Sequence, residues 1–248
     1  MLRFMIRPAL LILVAGLALS TTHGASAVSC AVATGAQARY TVCRVNAREE
    51  RLRVFYADAR GDRFETFEAL RADLARRGET LAFAMNAGMF HPGFRPVGLL
   101  VIDRQTIAPI NRAPGIGNFF LQPNGVFVLD ARGARVLATD EYRDLTPDFA
   151  TQSGPMLLHH GQIPDIPAFS ATSRSRHIRN GVCAPTPDTV AFAISEDEVS
   201  LSEFARFFAT LGCAEALYLD GSISSLYAPQ LKRADDREKL GPMIGVAQ

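Results

Sequence analysis

Asp220-Gly221-Ser222, followed by Ser224 and Ser225, interrupts an apolar run that begins at Ala214. Residues 216–219 read as a buried strand, and a glycine directly after the carboxylate admits a turn that most residues enter poorly. A strand end that feeds such a turn holds a reactive side chain rigidly while exposing it. The same Asp-Gly pair is also a common plain turn signal. Two similar small-residue turns flank apolar strands: Asn86-Ala87-Gly88 after residues 80–85, and Ser153-Gly154-Pro155 before residues 156–159. Arg174, Arg176, His177 and Arg179 add a basic cluster. Four polar segments, each against an apolar strand, fit a site assembled at one sheet edge.

Other constellations carry less. His91 beside Pro92 reads as a surface histidine. His159 and His160 are adjacent on a strand, so they are expected on opposite faces and not as a two-histidine metal pair. No G-x-S-x-G elbow occurs, although Ser153 or Ser222 with His177 keeps a serine hydrolase open as an alternative. No metal site and no cofactor are expected. A divalent cation at Asp220 is compatible with the pattern, but no ligand spacing demands it.

The elements that must position these residues follow from periodicity. Residues 37–46 and 51–58 alternate apolar with polar and are predicted to form an early hairpin. Residues 64–77 carry Phe67, Leu70 and Leu74 at helical spacing, with Gly78 as a stop. Strands are predicted at 80–85 and 97–102, and a hairpin joins 119–121 to 125–129 around Pro123-Asn124-Gly125. Residues 164–176 read as a loop, a candidate lid. Residues 189–195 form an apolar strand. Ser200-Leu201-Ser202-Glu203 then fits a capping box ahead of an apolar helix face ending at Gly212. Strand, helix and strand make a C-terminal βαβ unit whose strands are parallel if adjacent, bringing Glu196 to the edge that carries Asp220. Residues 242–247 close the fold as a last strand. The predicted class is α+β: a mixed sheet with flanking helices.

Arg3 and Arg7 precede an apolar run over 8–19, and Ala25-Ser26-Ala27 is a small-residue cleavage site. Residues 1–27 therefore read as a signal peptide, which makes the mature protein periplasmic or secreted, with no stable membrane insertion after cleavage. The mature chain has 24 basic and 25 acidic residues, a balance that excludes a nucleic-acid footprint. With 48% hydrophobic residues, 28–248 can bury a full core as a single domain. Four cysteines in an exported chain favour disulfides, with Cys30–Cys43 and Cys183–Cys213 the preferred of three connectivities.

MNAGMF with PVG after it, QSGPMLL, HIRNGV and YLDGSISSLY, in that order, resemble the phosphodiester glycosidase domain family, in its bacterial exported branch. The likeness runs from about residue 80 to 247. It implies a hydrolase that cleaves a sugar-1-phosphodiester or a related glycosidic bond in the cell envelope. The substrate it implies is a small molecule or glycan carrying phosphate, and the protein a monomer or small homo-oligomer. A non-catalytic envelope glycan-binding module is the alternative. Carried over residue by residue, Asp220 becomes the catalytic carboxylate; a glycosidase normally uses a second carboxylate, for which the βαβ geometry nominates Glu196, and His177 is a further catalytic candidate. Arg179, helped by Arg176, becomes the phosphate ligand. Asn86, Gly88, Ser153, Gly154, Gly221, Ser222 and Ser224 become substrate-binding positions. The family's Asp-Gly-Gly-Gly-Ser-Ser run is Asp220, Gly221, Ser222, Ile223, Ser224, Ser225 here, with two glycines replaced.

Overall fold

The computed structural model describes residues 28–248, so the expected signal peptide at 1–27 lies outside the described residues. Sixteen strands, numbered in chain order, and two α-helices make up three sheets and their covers among those residues. The first sheet runs β1 (Ser29–Thr34), β2 (Arg39–Asn46), β12 (Thr189–Ser195), β11 (Asn180–Thr186), β13 (Ala216–Tyr218), β10 (Met156–Leu158). The second runs β15 (Arg233–Ala234), β14 (Leu226–Ala228), β4 (Leu81–Asn86), β16 (Met243–Ala247), β3 (Leu52–Phe55). The third runs β6 (Gln105–Ala108), β5 (Leu100–Ile102), β9 (Phe149–Ser153), β7 (Gly125–Asp130), β8 (Gly133–Ala138). The class is mixed α and β.

The main core lies where the sheets meet. Phe192 of β12 has its ring 4.9 Å from that of Phe83 on β4 and 6.2 Å from that of Phe127 on β7, so one side chain joins all three sheets. β12 is covered on both faces, which explains its continuous apolar sequence. Val190, Phe192 and Ile194 point into this core, while the small Ala191 and Ala193 face helix α2 (Leu201–Thr210) and let it approach closely. Helix α1 (Phe67–Arg76) covers the outer face of the second sheet through Phe67, Leu70 and Leu74.

Helix α2 begins as its sequence dictates. Ser200 Oγ accepts from the Glu203 N–H at 3.1 Å, and Glu203 Oε2 accepts from the Ser200 N–H at 2.7 Å. Ser200→Ala is expected to lower unfolding free energy by about 1 kcal/mol, measured by denaturant titration. Gly212, at φ +80°, ends the helix. Both preferred disulfides are present: Cys30–Cys43 links directly opposed residues of β1 and β2, and Cys183–Cys213 ties β11 to the chain just after α2.

Three pairings differ from expectation. β2 and β3 do not form a hairpin: β2 pairs with β1 and β12, while β3 crosses to the second sheet and pairs with β16. Residues 118–120 form a 3-10 turn rather than a strand, and β7 instead makes its hairpin with β8, closed between Asp130 and Gly133. β12 and β13 are not neighbours, because β11 is inserted between them and is antiparallel to both. Alternation identifies strands but not their partners, so the register and neighbours of each strand are settled only when the sheets assemble.

Candidate active site

Three strand ends from two sheets are laced together by amides. Asn86 ends β4, Asn180 begins β11, and Asp220 follows β13. Asn86 Nδ2 donates to the Asp220 carbonyl at 2.7 Å, and Asn86 Oδ1 accepts from the Ser225 N–H at 2.8 Å and from Asn180 Nδ2 at 2.9 Å. The Asp220 N–H closes the ring by donating to the Ala87 carbonyl at 3.1 Å. Asn86 and Asn180 are buried, so this network fixes the backbone around Asp220. Asn180 was not singled out by sequence; its signal was its place beside Arg179 in HIRNGV.

Asp220 is 8% exposed as a residue, and its side chain caps the short 3-10 helix Gly221–Ile223, Oδ1 accepting from the Ser222 N–H at 3.2 Å. Burial pushes its pKa above the usual carboxylate range, and the bond from the Ser222 N–H only partly opposes that rise. Gly221 must be glycine for packing: a Cβ there would land on the Tyr218 hydroxyl. Tyr218 receives a 2.9 Å bond from Arg179 Nη1.

The turn at 221–225 separates two cavities. One, of about 590 Å³, is walled by Phe90, Phe119, Phe120 and His91 and reaches Asp220 and Ser222. The other, of about 400 Å³, is polar and is lined by His177, Glu196, Arg233 and Arg237 with Ser222 and Ser224. Glu196 Oε1 accepts from Arg233 Nη1 and from Thr41 Oγ1, both at 2.6 Å. Asp220 and Glu196 therefore do not share a cavity, against the expected carboxylate pair. The inserted β11 puts their strands two spacings apart, about 10 Å, and the 221–225 turn stands between the side chains.

The remaining expected residues divide by what they touch. Ser222, Ser224 and His177 line cavities. Arg176 lines neither, its exposed guanidinium bonding Glu203 and the Glu198 carbonyl. Arg179 is wholly buried: Nε donates to the Val199 carbonyl, Nη1 to Tyr218, and Nη2 to the Ser175 carbonyl. A bond from Arg179 to phosphate would require those partners to be given up, so the geometry makes it a support for Tyr218 and the Asp220 turn. Ser153 is also buried, its hydroxyl without a hydrogen-bond partner and away from both cavities, so a Ser153–His177 pair is not assembled. Gly88 and Gly154 are contact positions, with no room for a Cβ against the Gln152 carbonyl and Asn124 respectively. Sequence missed the cavity walls at Phe90, Phe119 and Phe120 and the cations Arg233 and Arg237. Their residue types are common in cores and on surfaces, so nothing in the local pattern marks them.

A sequence model of the phosphodiester glycosidase family matches residues 79–247, a span that holds Asn86, Asn180, Asp220 and both cavities' principal residues. The chain belongs to the phosphodiester glycosidase family. This phosphodiester glycosidase domain is 34% identical over 185 residues to the uncharacterised YigE protein of Escherichia coli K12, covering 74% of this chain and 72% of that one. Its fold is similar to that of the zebrafish N-acetylglucosamine-1-phosphodiester alpha-N-acetylglucosaminidase catalytic domain, which is auto-inhibited by its pro-peptide. That match has a TM-score of 0.61 and 14% identity, over 92% of this chain and 85% of that chain. It is also similar to a Burkholderia pseudomallei K96243 protein held to be exported, with a TM-score of 0.56 and 13% identity over 84% of this chain and 74% of that chain.

Proposed function

We propose that this phosphodiester glycosidase domain is an exported hydrolase cleaving a sugar-1-phosphodiester or a related glycosidic bond, with Asp220 as its acid. The observation that carries the reading is a carboxyl held nearly dry, pKa raised, at the edge of an aromatic-walled cavity. Aromatic faces suit the apolar side of a sugar ring, and a cavity of about 590 Å³ admits a monosaccharide with part of its aglycone. A protonated Asp220 would deliver its proton to the bridging oxygen as the C1–O bond breaks, releasing a phosphomonoester, while water adds to the oxocarbenium-like carbon. Asn86 and Asn180 hold the Asp220 backbone and need not meet the sugar. In this reading the phosphate lies over the Ser222 rim towards His177 and Arg237, which takes the place first given to Arg179.

Two disulfides fit an oxidising compartment, and the likeness to a protein held to be exported supports a periplasmic or secreted location. Among the described residues no helix is long and apolar enough to cross a membrane. A signal peptide cut after Ala27 predicts that N-terminal sequencing of the exported protein starts at Val28.

The deciding experiment is an assay of purified mature protein on a panel of sugar-1-phosphodiesters and p-nitrophenyl glycosides beside Asp220→Asn. Turnover by the wild type and none by the variant is expected; equal turnover by both ends the assignment. A second reading, a glycan-binding module, draws on Ser222 and Ile223 replacing the family's glycines at the rim of both cavities. It requires saturable glycan binding with no turnover by the wild type, and binding retained in Asp220→Asn.

A further inference from the structure

We propose that Glu141, His159 and His160 form a binding site for a divalent first-row transition ion of the Zn²⁺ type, with Glu215 bracing the two imidazoles. The site is separate from the Asp220 cavity, since none of these residues lines either cavity at the 221–225 turn.

Adjacent residues of a strand point to opposite faces, and by that rule His159 and His160 could not act together. The backbone breaks the rule. His160 takes φ +52°, a left-handed conformation that costs a non-glycine residue about 1–2 kcal/mol, and β10 ends two residues earlier at Leu158. The two rings come to lie side by side, centroids 3.9 Å apart. The turn is fixed by the His159–Gln162 bridge and by the Gly161 N–H, which donates to the Ala214 carbonyl at 2.8 Å.

Glu215 braces the pair from one side. Its Oε2 lies 3.0 Å from His159 Nδ1, and its Oε1 lies 3.1 Å from His160 Nδ1 and accepts from the His160 N–H at 2.7 Å. Both Nδ1 atoms are thus engaged by one carboxylate, which leaves the two Nε2 atoms as the free donors. A carboxylate behind the imidazole is the arrangement that sets tautomer and ring orientation in metal sites. Glu141 comes from the turn after β8, in the third sheet, and its Oε2 accepts from the Ala138 N–H at 3.0 Å, fixing the side chain and leaving its second oxygen. Ligand atoms of Glu141, His159 and His160 lie within 4.8 Å of one another. Two imidazoles and one carboxylate are a donor set suited to Zn²⁺, with positions left for water or a fourth ligand.

An ion there would clip the end of β10 in the first sheet to the β8 turn of the third. Glu215 is itself held in place, two residues beyond the Cys183–Cys213 disulfide. The test is calorimetric titration of untagged, chelator-treated mature protein with Zn²⁺, repeated with Co²⁺ while recording its visible absorption. One equivalent of Zn²⁺ and a tetrahedral-type Co²⁺ spectrum are expected. Glu141→Gln and His160→Ala, both at exposed side chains, should each weaken binding at least about tenfold, and Glu215→Gln by about 10- to 100-fold, with unchanged circular dichroism. Absence of saturable binding by the wild type overturns the proposal. So does binding that His160→Ala and Glu141→Gln leave unchanged, which would place the ion elsewhere.

Discussion

Asp220→Asn is expected to lower kcat/KM on a sugar-1-phosphodiester by about 100- to 10,000-fold, the range for loss of a positioned acid, and to raise thermal stability at neutral pH. The two effects share a cause. Burial disfavours the charged carboxylate, so the folded-state pKa lies above the unfolded value. A raised pKa contributes stability that is complete below the unfolded value and lost as pH rises through the folded one. Asparagine keeps an oxygen for the Ser222 N–H and never ionises, so the variant should gain on the wild type as pH rises. The two proteins should melt alike in acid, below the unfolded carboxylate pKa. Melting curves across pH check this; an Asn variant less stable than wild type at neutral pH would mean that the carboxylate has a stabilising charged partner. By the same sign, activity that needs protonated Asp220 should fall as pH rises through its elevated pKa.

Arg179→Ala is expected to cost about 3 kcal/mol or more of unfolding free energy. The guanidinium is wholly buried and serves the Val199 carbonyl, the Ser175 carbonyl and the Tyr218 hydroxyl at 2.8 to 2.9 Å. Each buried acceptor left unpaired costs about 1–3 kcal/mol, and the vacated volume adds to that. Arg176→Ala, at an exposed ion pair with Glu203, should cost no more than about 1 kcal/mol. Denaturant unfolding of both variants separates support from substrate contact. Wild-type stability with a sharply raised KM in Arg179→Ala would return this side chain to the phosphate.

Helix α2 was readable residue by residue, because its capping box, apolar stripe and terminal glycine are local signals. That the cysteines form disulfides was readable from compartment, with the observed pairing the preferred of three connectivities, and Asp220 was readable from the strand that delivers it. Pairing was not readable. Residues 52–55 announce a strand, but only the assembled second sheet makes β16 their partner. Within the candidate site, Ser153, Gly88, Gly154 and Arg179 were visible as motif residues, yet sequence does not distinguish a polar group bonded inward from one facing a cavity. The aromatic wall failed for the opposite reason: Phe119 and Phe120 sit in an irregular turn whose period matches neither helix nor strand. His160 shows a third kind of failure, in which one left-handed residue cancels the alternation that separated it from its neighbour.

β16 is an inner strand of the second sheet, with β4 on one side and β3 on the other. The order of synthesis therefore matters to the site. A growing chain carries β3 and β4 long before the strand that must separate them, so the sheet cannot close until β16 has emerged. Closure at so large a sequence separation is slow compared with local pairing. A fragment ending before Met243 would lose an inner strand rather than an edge, and with it the Met243 pairing that holds Asn86, whose amide bonds the Asp220 carbonyl.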